Sequence, residues 1–304
     1  MRTQLLIIFS LFFVLSLLTT PWAGIARAGL VTDGAGRQVM VPADPRRVIT
    51  FAPNLAEIVY LLGEEQRLAG TTTFSDYPPA ARELPRVGSY VRPDLEKIVA
   101  LRPDLCLASQ DGNPRHVVDR LAAMGIAVYV VNPQSLSGIM TAVKQIGTLL
   151  HADKRAAELV AAMRQRIEAV ARQVAARSDR PLVFFQIDEA PMISAGTNTF
   201  IHELITLAGG RNAAAGPVAY PRYDWEKILA LDPEIVIISS MAGGRTKEEL
   251  LAGWRRWPQL AAVRNNRLHV VDADLFDRAT PRLVDGLEHL AGIIQSGQES
   301  AGAQ

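Results

Sequence analysis

The run DADLFDRATPR, from Asp272 to Arg282, gathers three carboxylates, two guanidiniums and a phenyl ring in one short stretch. Carboxylates accept hydrogen bonds and a planar guanidinium donates several, so such a run suits the grip on a polar ligand. Arg278 either donates to amide or carboxylate oxygens of a ligand or is held in an ion pair with Asp274 or Asp277; Arg282, just after Pro281 at a helix start, reads as structural. Phe74, Tyr90, Tyr220 and Phe276 stand in loops just after expected strands or before helices. A ring there is unfavourable to expose unless a flat ligand covers it, the alternative being that each packs under its own loop. Tyr77, followed by Pro78 and Pro79, reads as a loop anchor.

Bond-making chemistry finds no such support. The five histidines, His116, His151, His202, His269 and His289, include no pair at i, i+4 and no HExxH, so no converging set of metal ligands is expected. The chain contains no G-x-S-x-G, no P-loop and no G-x-G-x-x-G, which leaves an enzymatic reading only a generic fold to stand on. Cys106, the single cysteine, lies in the apolar strand LCLAS and reads as a small buried side chain.

The elements that must position these residues alternate. RVITF, RLAGTT, LCLAS and IAVYVV read as strands between helices such as LAEIVYLLG, with Asn54 as its N-cap and Gly63 at its end, and PRHVVDRLAAMG. PLVFFQI, the helix TFIHELITLAGG, KEELLAGWRRW, RLHVVDA and PRLVDGLEHLAGIIQ repeat the scheme later in the chain. Strand–helix alternation predicts mainly parallel sheets flanked by helices, and the loops at strand ends then face any cleft. A small hairpin, LVTDGAGRQVMVP, leads in around Asp33-Gly34.

Two segments say how many such units there are. DLEKIVALRPDLCLAS, from Asp94, returns as DWEKILALDPEIVIIS, from Asp224, at an offset of 130 residues. That is too long for a solenoid and suits one copy in each of two similar domains. Each copy reads as a helix opened by an Asp cap, then a turn, then an apolar strand. Between the units, DKRAAELVAAMRQRIEAVARQVAAR lacks Gly and Pro and spaces Leu159, Met163, Ile167, Val170 and Val174 by threes and fours. It predicts one stiff helix of about 37 Å, which resists wide hinge motion. The expected architecture is therefore two three-layer α/β lobes, residues 29–151 and 179–298, joined by a helix over 152–178.

Residues 1–28 read as a secretory signal. Arg2 precedes the apolar run Leu5–Leu18, and Ala26-x-Ala28 supplies a cleavage site. The run is shorter than the roughly 20 residues that span a bilayer. With no cysteine beside the cleavage site to carry a lipid, a free periplasmic protein is expected. A balance of 32 Lys plus Arg against 31 Asp plus Glu offers no footprint for nucleic acid.

The segments FSDYPP (74–79), LEKIVALRPDL (95–105), FIHELITLAGG (200–210) and FDRATPR (276–282), on two lobes joined by one helix, resemble the helical-backbone class of periplasmic substrate-binding proteins serving importers of cobalamin, iron siderophores and haem. SDYPP, the stretch ending in Gly112-Asn113 and FDRATPR are most similar to its cobalamin branch. The resemblance implies a monomer that captures a corrinoid between its lobes for an ABC importer, with no cofactor and no catalysis. It implies a ligand site of Phe74, Tyr90, Ser109, Gly112, Asn113, Tyr220, Asp274, Phe276 and Arg278. Where the cobalamin branch carries tryptophans, this chain has Phe74, Tyr90, Ser109 and Tyr220, a smaller and more hydroxylated pocket. A haem or ferric-siderophore receptor is the alternative, with Tyr90 in GSYVR resembling the tyrosine of haem-binding relatives; a cell-envelope α/β enzyme is the distant one. Glu96 and Glu226 occupy matching first-turn positions in the duplicated helices. Either they serve only their helix dipoles, or, as the resemblance implies, they pair with arginines of the permease.

Overall fold

The computed structural model describes residues 29–239 and 245–296, so the signal segment lies outside the described residues. Two four-stranded sheets form the frame, and every strand pair in them is parallel. The first runs in the spatial order Leu68–Gly70, Val48–Thr50, Leu105–Ser109, Ala127–Val131. The second runs Arg211–Asn212, Leu182–Gln186, Ile235–Ile238, Leu268–Val270. Both therefore order their strands 2-1-3-4, and the duplicated segments supply the third strand of each together with the helix before it. Similar sequence occupies the same topological slot twice.

Local chemistry explains those two helices. The Asp94 carboxylate accepts from the Lys97 N–H at 3.2 Å and that of Asp224 from the Lys227 N–H at 2.9 Å, so each satisfies a donor that the helix leaves free. Thr199 caps the helix Phe200–Leu207 in the same way. Gly63 closes the helix Pro53–Leu62 at φ 77°, a left-handed conformation that favours glycine. The start of that helix differs from expectation: its N-cap is Ala52, with Pro53 in the first turn, and Asn54 sits inside it. The sequence reading also passed over the helix Leu136–Leu149 and a three-stranded antiparallel ribbon of Asp188–Glu189, Met192–Ile193 and Arg222–Tyr223.

One helix, Asp153–Ala175, separates the two sheets. At 1.5 Å per residue its 23 residues span about 34 Å. Met163, Val170 and Val174 are buried, Leu159 and Ile167 half-buried. Their stripe joins a core that is continuous through both sheets' inner faces, from Leu55 and Ile146 to Leu204 and Leu287. The outer faces are covered separately: Ile49, Cys106 and Leu121 on the first sheet, Phe184, Val236 and Trp254 on the second. Each unit thus has three layers. Arg166 ties the long helix to the final helix Leu283–Ser296 through Asp285 and Glu288, while the Arg155 side chain donates to the Leu61 carbonyl at 3.0 Å. The connector is thus fastened to the first lobe at its start and to the second from its middle.

Candidate ligand-binding cleft

A cavity of about 700 Å³ opens between the lobes, within the usual size of a ligand site. Strand ends and the loops beyond them build it. Pro53, Phe74, Tyr90, Ser109 and Asp111 come from the first lobe; Phe200, Tyr220, Asp274, Asp277 and Arg278 come from the second. Phe74 is 60% exposed and Tyr220 43%, unusually open for aromatic rings. They form an apolar surface on both sides of the opening.

Of the expected ligand residues, Phe74, Tyr90, Ser109, Tyr220, Asp274 and Arg278 line this cavity. Gly112, Asn113 and Phe276 do not. Asn113 accepts from the Ser109 N–H at 2.7 Å and donates to the carbonyls of Phe51 and Tyr90 at 2.8 and 2.7 Å. Its hydrogen-bonding capacity is used in holding the Tyr90 loop against the sheet. Gly112 sits at φ 92°, and a Cβ there would strike the Tyr90 ring. The two residues are therefore corrected from ligand contacts to the seat of Tyr90. Phe276 is corrected too: one helical turn, Ala273–Phe276, directs its fully buried ring onto Phe185, with centroids 5.6 Å apart.

Arg278 is held in the ion pair that one reading gave it. It lines the cavity, and its guanidinium pairs with Asp274 at 3.0 Å. It does not take Asp277, whose Oδ2 accepts from the Ser239 hydroxyl at 2.9 Å. Its further partners come from the other lobe, Asp76 at 2.9 Å and Glu57 at 3.2 Å. Arg282 donates to Glu57 at 2.8 Å and stacks 3.7 Å over the Tyr77 ring, which gives Tyr77 its anchoring role. Glu57 is 1% exposed on the buried side of the helix Pro53–Leu62. Burial pushes its carboxyl above the ordinary range, against the opposite pull of Arg282 and then Arg278. A second polar tie crosses the lobes where the Leu136 N–H donates to Glu203 at 2.7 Å.

The phenols and carboxyls of the cavity perturb one another. Burial, then Asp111, raises Tyr90. Tyr220, although 43% exposed, is raised as well by the part of its surface that is desolvated, then by Asp111, Tyr90 and Asp277. Both are neutral phenols at neutral pH. Burial raises Asp277 to about 7, with Asp274 and Asp272 adding to the shift and Ser239 and Arg278 opposing it. Sequence reasoning missed Glu57, Asp76 and Asp111. Glu57 carried a signal, a lone acid among the apolar residues of LAEIVYLLG; the other two are ordinary loop carboxylates.

Glu96 and Glu226 lie outside the cavity. Both are exposed on the first turn of their helices. The neighbouring lysines fold back on the caps, Lys97 to Asp94 at 3.4 Å and Lys227 to Asp224 at 3.0 Å. Neither glutamate has an ion-pair partner among the described residues. No helix among those residues is long and apolar enough to cross a membrane.

A family model described as periplasmic binding protein matches residues 48–275. The vitamin B12-binding protein of Photorhabdus laumondii is 32% identical over 250 residues, covering 82% of this chain and 87% of that one. The periplasmic vitamin B12 binding protein BtuF of Vibrio cholerae superposes with a TM-score of 0.74 at 30% identity, over 84% of this chain and 98% of that one. A periplasmic heme binding protein from Pseudomonas aeruginosa gives a TM-score of 0.74 at 30% identity, over 81% and 91%.

Proposed function

The chain belongs to the periplasmic binding protein family, and from that premise we propose that it captures cobalamin or a related corrinoid between its lobes and delivers it to the permease of an ABC importer. One observation carries the reading: an inter-lobe cavity whose open aromatic rings, Phe74 and Tyr220, face in from opposite lobes. Covering such rings with the faces of a flat macrocycle removes apolar surface from water on both partners at once. The polar side chains between them, Ser109, Asp274 and Arg278, suit the macrocycle's periphery. Binding and release are the whole activity in this proposal.

The setting is the periplasm, in keeping with the family and with the leader expected over residues 1–28. Glu96 and Glu226 present an exposed carboxylate on each lobe, away from the ligand, and suit a partner with a basic site for each. Reversing either to Lys leaves ligand affinity unchanged and lowers uptake through a reconstituted importer, because like charges across an interface cost several kcal/mol.

Haem is the second reading, favoured by Tyr90, a phenol oxygen at the cavity wall, and by the likeness to a heme binding protein. Titration of the purified protein with cyanocobalamin, haem and a ferric hydroxamate, followed by calorimetry and absorbance, separates the readings. Saturable binding of cyanocobalamin alone is expected. Binding of haem with no response to cyanocobalamin overturns the corrinoid assignment.

A further inference from the structure

Among the described residues, the carboxyls and guanidiniums that line the cavity belong to Asp111, Asp274, Asp277 and Arg278. Arg278 is the single cation, and its terminal nitrogens are taken. Nη1 pairs with Glu57, and Nη2 lies 2.9 Å from Asp76 and 3.0 Å from Asp274. The next cation back, Arg282, is bound to the same Glu57. Five carboxyls, Glu57, Asp76, Asp111, Asp274 and Asp277, thus face two guanidiniums. The surplus at the wall is acidic.

Asp277 adds a local feature. Oδ2 accepts from the Ser239 hydroxyl, whereas Oδ1 is buried and takes no hydrogen bond. Asp277 is also an electrostatic neighbour of Tyr220, which in turn feels Tyr90 and Asp111 from the opposite lobe. All four of these side chains line the cavity. Resting on the reading of the cleft as a macrocycle site, we propose that it selects its ligand by peripheral charge, accepting a macrocycle edged with carboxamides and rejecting one edged with carboxylates, with Asp277 as the discriminating residue.

The physical reason lies in what each edge group offers a carboxyl. A carboxamide is both donor and acceptor, so its N–H2 serves an ionised Asp277 and its C=O serves a protonated one. A carboxylate only accepts, so it can meet Asp277 only in the protonated state, and it stands against Asp111 and Asp274 in either. Within a desolvated site such like-charge juxtaposition is strongly unfavourable. Asp274 and Asp272 add negative potential beside Asp277, and Arg278 is already neutralised, so no free cation among the described wall residues compensates.

The test compares matched pairs differing only at the edge. Dicyanocobyrinic acid bears carboxylates where dicyanocobyrinic acid heptaamide bears amides, and protohaem can be set beside its bis-amide. Calorimetric titration of the full chain at pH 8 should show the amide corrinoid binding at least tenfold more tightly than the acid. In Asp277→Asn that ratio should shrink at least threefold, with cooperative melting of the free protein no lower than the parent's as the folding control. A wild-type ratio below threefold overturns the charge rule while leaving corrinoid capture standing. Should neither corrinoid bind, capture of corrinoids fails, and the haem pair decides the charge rule: protohaem binding as well as its bis-amide overturns it, and preference for the bis-amide upholds it.

Discussion

Replacing Glu57 by Gln removes one charge and almost no volume from the junction of the lobes. The carboxylate is 1% exposed and receives Arg282 Nε at 2.8 Å and Arg278 Nη1 at 3.2 Å. Breaking a buried ion pair from one side costs about 3–5 kcal/mol, because the remaining charge stays buried without compensation. Arg278 retains Asp76 and Asp274, so only Arg282 is orphaned. Its side chain is 14% exposed, its Nη2 already lacks a partner, and its remaining support is the Tyr77 ring. Burial already disfavours the charged form of Glu57 and offsets part of that cost, so the lower end, about 3 kcal/mol, is expected. In a chain of this size that lowers the melting temperature by roughly 6–12 °C. Urea denaturation followed by circular dichroism at pH 7 measures it. The double variant Glu57→Met/Arg282→Met should recover much of the loss, since a well-packed apolar pair often matches a buried ionic one. A loss below about 1 kcal/mol in Glu57→Gln, or a double variant weaker than the single, refutes the claim that the Glu57–Arg282 charge pair holds the lobes.

Three further outcomes follow from named groups. Asp277, raised from 3.8 to about 7, holds its proton in the folded state while the unfolded chain has released it. Its presence therefore makes stability fall as pH rises from about 4 to about 7 and level off above, by up to about 4 kcal/mol. Denaturation between pH 5 and 8 should show Asp277→Asn gaining on the parent with rising pH, and parallel curves would contradict this. Tyr220→Ala should weaken ligand binding by roughly 10- to 100-fold, the worth of one ring's buried surface, and scarcely change melting of the free protein; early melting with normal affinity would return the ring to the core. Cys106, fully buried and with its thiol pushed up by burial and then by Asp104, should resist a thiol reagent in the folded protein and react once in urea. Labelling of the native chain at the rate of the unfolded one would contradict its place in the strand.

The sequence by itself determined what depends on neighbours within a few residues. Asp94, Asp224 and Thr199 cap their helices through bonds to an N–H three residues on, and Gly63 ends its helix for want of a side chain. Two lobes were legible in the duplicated segment, and a stiff connector in 23 helical residues with neither Gly nor Pro. Of the loop aromatics singled out in the sequence, Phe74, Tyr90 and Tyr220 line the cleft and Phe276 belongs to the core. Only the tertiary structure decided which residues look into the cleft and which support it. Glu57 meets Arg282 across 225 residues of chain and Arg278 across 221, and no local pattern relates them. Asn54 fits a capping motif, yet it sits within the helix and its amide reaches toward the Ala279 carbonyl 225 residues away. Phe276 and Arg278 are two residues apart in one polar run, but a single helical turn sends the ring into the core and the guanidinium to the cavity. Capping is a bond between near neighbours, whereas the pairing of Glu57 with Arg278 and Arg282 exists only once the long helix has set one lobe against the other.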